Sequence, residues 1–214
     1  MSLLRTVWAK HVQAEELNWT ATLLESLYSA AGREYHTLEH IDHCLRLLDW
    51  KASMLPDINR AVVEIALIWH DAIYIPGDIY NEANSASLLR GICSVINGAM
   101  DGSLLDHAMT CIEATRHKHG GDFFGDTTVA AVLDIDLAIL GVHQTAYNHY
   151  IAAIRKEYRH VSAESWRVGR SNFLAQMLAR PFIYTLEPMV QEFELSARSN
   201  MQHELTRLES RDPL

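Results

Sequence analysis

The sequence predicts an all-α fold, and three observations carry that prediction. Only five prolines and ten glycines punctuate 214 residues, so long stretches are free of helix breakers. Apolar residues recur at helical spacing, as in Leu38, Ile41, Leu45 and Leu48. The strand–helix alternation of a parallel sheet is missing, as are the GxGxxG, GxxxxGK[ST] and GxSxG signatures that accompany it.

The elements follow in order. A first helix is expected from about Leu3 to Ala31, stopped by Gly32. A second begins near Tyr35 and runs through HTLEHIDHCLRLLDW. Pro56 and Asp57 open a third, INRAVVEIALIWH, which is apolar on nearly every side and therefore expected at the centre. AIYIPGDIY, with Pro76 and Gly77, reads as a loop. Helices follow at about 81–96, 104–115 and 128–140, with a Gly- and Asp-rich loop from His117 to Asp126. Three amphipathic segments, near 143–158, 162–179 and 185–209, complete the chain, with a break at Pro181.

Composition narrows the function classes. Hydrophobic residues at 49 % and charged residues at 21 % are ordinary globular usage and argue against disorder. A net charge of -9 disfavours nucleic-acid polymers and anionic membrane as partners, while leaving room for a local phosphate pocket. Cys44, Cys93 and Cys111 lie in apolar contexts without a CxxC pattern and read as reduced, buried thiols. With no signal-like N-terminus and no long apolar run, the expectation is a soluble, cytoplasmic protein of one domain over 1–214.

Three features carry chemistry. His36 and His40 are four residues apart, a spacing that puts both on one side of a helix, where a pair of solvated histidines is the bland alternative. His70-Asp71 ends the most apolar helix; a charged aspartate there is costly unless paired, hydrogen-bonded or metal-bound, or turned to solvent at the helix end. Asp134 and Asp136 sit inside an apolar helical run and face roughly opposite ways, so one is expected inside, balanced by a cation or an arginine. Together these groups offer two imidazoles and two carboxylates from separate helices. Such mixed N/O ligation suits Mn, Fe, Ni, Co or Zn and leaves positions open for water and substrate.

The stretches REYHTLEHI, ALIWHDAIY, NEANSASLL, IEATRHKH and DIDLAILG, in that order over roughly residues 33–141, resemble the HD superfamily of metal-dependent phosphohydrolases. The closest likeness is to a group of small single-domain predicted phosphohydrolases. IRKEY, GRSNFLAQML and ELSARSNMQHEL extend it toward the C-terminus. The resemblance implies an HD-type helical bundle with a core about 33–141 and a helical extension over 142–214. It implies metal ligation by His40, His70, Asp71 and Asp136, of one divalent transition metal or two. By likeness to cyclic-nucleotide phosphodiesterase catalytic domains, His36 takes the place of a general acid. Asp136 aligns with the metal-binding aspartate, with Asp134 as the alternative ligand or as a partner to a ligating histidine.

Glu82 stands where dinuclear relatives have histidine, which argues against a full second site and suggests a role in orienting or deprotonating water; a first-turn acid favoured by the helix dipole is the plain alternative. His117 is expected to face the site as a second-metal or phosphate contact, and His119 is not. The histidines at 11, 43, 107, 143, 149, 160 and 203 are read structurally. Arg33, Arg116, Arg155, Arg170 and Arg180 are phosphate candidates, with Arg155 and Arg170 first because they fall in the resembling stretches. The expected activity is hydrolysis of a small phosphoester, a nucleotide or similar, by a metal-activated water, with a homodimer allowed for. The alternatives are an HD-fold di-iron oxygenase and a non-catalytic metal- or nucleotide-binding module.

Overall fold

The computed structural model describes residues 2–55, 57–96, 100–117 and 125–210. Among them are ten α-helices, one 3-10 helix and no strand, so the all-α class holds. The chain divides into two compact units, the first ending at Asp136 and the second starting at Leu137.

The first unit is organised around α4 (Arg60–Trp69), whose Val62, Val63, Ile65, Ala66, Leu67, Ile68 and Trp69 are all buried. Such a helix has no polar face to give to solvent, so it must be surrounded. It packs against α1 (Leu3–Trp8), α3 (Leu38–Lys51), α5 (Asn81–Val95) and α6 (Gly102–Ala114). Trp8 lies edge-on to Trp69 at 5.4 Å between ring centroids and donates its indole N–H to Thr20 Oγ1 at 2.8 Å. From α2 (Ala14–Tyr28), the Tyr28 hydroxyl donates to the carbonyl of Ile68 at 2.8 Å, in the last turn of α4. The helix that bears His70-Asp71 is thus fixed at its end by groups from two other helices.

Several helix boundaries differ from the sequence expectation. The first helix is two, α1 and α2, separated by a turn over residues 9–13. No local breaker marks that turn. It is held by Lys10 and His11, which each reach the carboxylate of Glu64 in α4 at 2.9 Å. The second helix starts at Leu38, not near Tyr35, because Thr37 is its N-cap and takes the Glu39 N–H on its hydroxyl at 3.3 Å. His36 therefore lies ahead of the helix that carries His40. The third starts at Arg60, behind an Asn59 cap that accepts the Val62 N–H. α7 (Thr127–Leu137) stops short of 140 and tightens into a 3-10 turn over Ala138–Gly141.

In the second unit α10 (Glu187–Ser210) packs on that 3-10 turn and on α9 (Ala163–Leu178), and α8 (Gln144–Glu157) also meets the turn. Gly141 permits the closest approach, since a Cβ there would lie 2.6 Å from Phe193 Cβ. The Asn200 amide donates to the carbonyls of Leu140 and Val142 at 2.9 and 2.8 Å, satisfying groups that the tight turn leaves open. Among the described residues no single helix is long and apolar enough to cross a membrane.

Candidate metal centre

Three helices of the first unit send side chains to one point. His40 occupies the first complete turn of α3 and is buried. His70 is the C-terminal cap of α4, also buried, and its Nδ1 lies 3.0 Å from the carbonyl oxygen of Leu67. A carbonyl only accepts, so Nδ1 carries the proton of neutral His70 and Nε2 is left with its lone pair. That Nε2 is 3.2 Å from His40 Nε2 and 2.9 Å from Asp71 Oδ2. One ligand atom each from His40, His70 and Asp71 fall within 4.8 Å of one another, a buried group that could hold a metal ion.

Asp136, in the last turn of α7, joins the same point. Its Oδ1 is 3.3 Å from His40 Nε2 and 3.4 Å from His70 Nε2. Its Oδ2 is 2.9 Å from His117 Nε2. Asp134, two residues earlier, is buried, whereas Asp136 is partly exposed. Of the two, Asp136 is the aspartate whose carboxylate lies against the imidazoles of His40 and His70. His117 makes its contact from a left-handed backbone, φ 51°, which a residue with a β-carbon adopts only at a cost.

The electrostatics follow from this geometry. Burial opposes charge on His70, yet the carboxylates of Asp71 and Asp136 overcome it and raise the imidazole well above its ordinary range. Burial likewise opposes ionisation of both aspartates. For Asp71 the nearby histidines, His70 first, hold the carboxyl below its ordinary value. For Asp136 the charge of His70 and hydrogen bonds from His117, His40 and His70 do the same. Cys44 lies one turn beyond His40, its Sγ 3.8 Å from either ring nitrogen. Burial, then the two aspartates, push its thiol well up, so it stays protonated at neutral pH.

His36 is half-buried at the edge of this cluster, its ring centroid 6.0 Å from that of His40. It stacks on Tyr74 with centroids 3.9 Å apart. Glu82 sits in the first turn of α5, as its sequence position implied. Its Oε2 is buried with no hydrogen-bond partner among the described residues. The same end of α5 closes the loop that follows Asp71: Ser85 Oγ accepts the Ile73 N–H at 3.0 Å and Asn81 Oδ1 accepts that of Ile75 at 2.9 Å. His119 lies outside the described residues.

Several sequence expectations are redirected. Arg170 and Arg155, first among the phosphate candidates, are committed within the second unit. Arg170 forms a two-pronged ion pair with Glu204, and Arg155 donates to the carbonyls of Tyr158 and Val161. Arg33 spends its guanidinium on backbone carbonyls beside the cluster. Tyr74 and Cys44 border the site without having been read as site residues: nothing local in the sequence brings Tyr74 to His36, whereas helical spacing alone puts Cys44 one turn beyond His40. His11, His107 and His143 take structural partners, as expected: Glu64, Asp126 and the N-terminus of α8. No protein-family model, curated protein or solved structure matches the chain.

Proposed function

We propose that this chain is a metal-dependent phosphohydrolase of the HD type, which hydrolyses a small phosphoester such as a nucleotide. One observation carries the reading. His70 Nε2 lies 3.2 Å from His40 Nε2 and 2.9 and 3.4 Å from oxygens of Asp71 and Asp136. Two carboxylates brought this close in a buried place require positive charge beside them, which the histidines supply when protonated and a metal ion supplies when they give up those protons to ligate it. The ordered HD-like motifs supply the same four residues from the sequence side.

The donor set fits a divalent transition ion, with His40, His70, Asp71 and Asp136 as its holders; two imidazoles and two carboxylates suit Mn, Fe, Co, Ni or Zn. When bound, such an ion supplies Lewis acidity, lowering the pKa of a water toward about 7 and drawing charge from a phosphoryl oxygen. The chain's own groups do the rest. His117 orients the Asp136 carboxylate through Oδ2. Glu82 brings a buried, unpartnered carboxylate oxygen suited to orienting water. His36 gives a proton to the leaving oxygen as the P–O bond to the leaving group breaks and the bond from phosphorus to the water oxygen forms. The water's proton passes to solvent, and solvent reprotonates His36.

The split use of Asp136, one oxygen toward His40 and His70 and the other toward His117, favours a second reading with two ions, including an HD-type di-iron oxygenase. The test is elemental analysis of protein purified without a metal-affinity tag, coupled to a phosphoester screen. About one equivalent of a transition metal, lost in His70→Ala and Asp136→Ala together with phosphoester hydrolysis, supports the proposal. Two irons with dioxygen consumption select the second reading. Protein that takes up none of the five metals sinks both.

A further inference from the structure

Arg33 joins two main-chain segments that lie outside the helices. Its Nη1 donates to the carbonyl of His36 at 2.9 Å and to that of Asp71 at 2.8 Å, while Nη2 donates to the carbonyl of Ala72 at 2.9 Å. One planar fork thus joins the segment bearing His36 to the residue that follows His70. The guanidinium carbon lies 5.1 Å from the ring centre of Tyr28 and 5.6 Å from that of Tyr74. Tyr28 is itself bonded to Ile68 in the last turn of α4, and Tyr74 is the ring on which His36 stacks. His36 sits outside α3, ahead of the Thr37 cap, so no helical hydrogen bond holds it. The clamp ties its main chain to that of Asp71. Gly32, at φ 98°, turns the chain out of α2 just before Arg33.

We infer that Arg33 is a positioning residue that fixes His36 at proton-donating distance from the leaving oxygen, by tying the His36 and Asp71 main chains together against Tyr28 and Tyr74. The inference rests on the phosphohydrolase reading. It adds that His36 and the metal ligands are held as one unit by a cation that touches no substrate. Lysine cannot replace it, since an ammonium lacks the flat fork that serves three carbonyls at once and the face that lies on aromatic rings. Displacing a proton donor by about 1 Å costs on the order of 10²-fold in rate, and only where the leaving group needs the proton.

The deciding experiment compares phenyl phosphate, whose leaving oxygen needs a proton, with p-nitrophenyl phosphate, whose leaving oxygen does not. Both are turned over by metal-loaded wild type, Arg33→Lys, His36→Ala and the double variant. Arg33→Lys is expected to retain wild-type metal content. It should lose at least about 10-fold in kcat on the phenyl ester and stay within about 2-fold on the p-nitrophenyl ester. His36→Ala added to it should cost little more, since both changes remove the same proton transfer. Tyr74→Leu, which removes the ring beneath His36, provides a second variant and should show the same selectivity. Equal loss on both esters, or additive loss in the double variant, overturns the positioning role while leaving the hydrolase reading intact. Wild type that binds metal yet cleaves neither ester overturns both.

Discussion

Each unit buries a cluster of charge, and the two clusters differ in how their donors and acceptors match. In the second unit the Glu204 carboxylate receives Nε and Nη2 of Arg170 at 2.8 and 3.0 Å and the Tyr147 hydroxyl at 2.5 Å. The remaining Arg170 nitrogen, Nη1, donates to Tyr150. Burial, then Glu204, pushes the Tyr147 phenol up, so it stays a neutral donor. One cation meets one anion and the donors match the acceptors. In the first unit two carboxylates meet the imidazoles of His40, His70 and His117, groups that can be cations or can give up their protons to ligate one. Burial alone marks neither cluster as functional. The histidines mark one of them, because an imidazole can exchange its proton for a metal ion from outside, whereas the guanidinium of a closed ion pair cannot.

The largest expected effect breaks the histidine–aspartate cluster. His70→Ala should drop bound transition metal from about one equivalent to essentially none, and phosphoester turnover with it. The fold should survive, since α4 keeps its apolar packing; circular dichroism of the variant checks that. Retention of metal by His70→Ala would show that the ion sits elsewhere.

The matched cluster should respond in the opposite manner. Arg170→Met leaves Glu204 buried without its cation and should destabilise the protein by about 3–5 kcal/mol, read from urea unfolding. Metal stoichiometry should not change. Converting the partner as well, to Arg170→Met with Glu204→Leu, should recover much of the loss, because two apolar side chains replace a closed pair without leaving a charge behind. A metal deficit in the single variant would remove the contrast between the clusters.

His117 gives a smaller and sharper test. It touches the outer oxygen of Asp136, so His117→Ala should weaken metal binding by about 10–100-fold without abolishing it. A titration with Zn or Mn against a chromogenic chelator measures this. Full loss of one of two equivalents would instead make His117 a ligand to a second ion.

These contrasts explain what the sequence revealed. Helical periodicity exposed α3, α4 and α7, and the histidines and aspartates on them stood out because polar groups interrupt apolar runs. Motif alone points to Asp136 rather than Asp134, since both lie in the same apolar run and period does not say which of them faces the site. Arg170 was misread because its partner lies 34 residues away, and an arginine in a helix looks the same whether it awaits a phosphate or already holds a glutamate. Arg33 was recognised as a cation but not as a clamp, because its acceptors are backbone carbonyls, which carry no sequence signal. The break between α1 and α2 was invisible for the same kind of reason, as its cause is Glu64 in α4.

Glu64 also supplies the smallest prediction, and it tests whether a matched cluster behaves alike elsewhere. Its buried carboxylate meets Lys10, His11 and Arg60, each at 2.9 Å, and Arg60 also pairs with Asp49. Burial disfavours the charged form, but hydrogen bonds from His11, Lys10 and Arg60 outweigh it and hold the carboxyl at about 2, against an ordinary 4.5. A depressed acid stabilises the fold above its unfolded pKa and loses that contribution as pH falls toward the folded value. Glu64→Gln should therefore cost about 2 kcal/mol near neutral pH, tempered because Lys10 and Arg60 stay partly solvated. The gap between variant and wild type should narrow as pH falls from 4.5 toward 2. Unfolding midpoints across that window measure it. A gap that stays constant to the acid end would mean that Glu64 acts by packing the turn between α1 and α2 rather than through its charge.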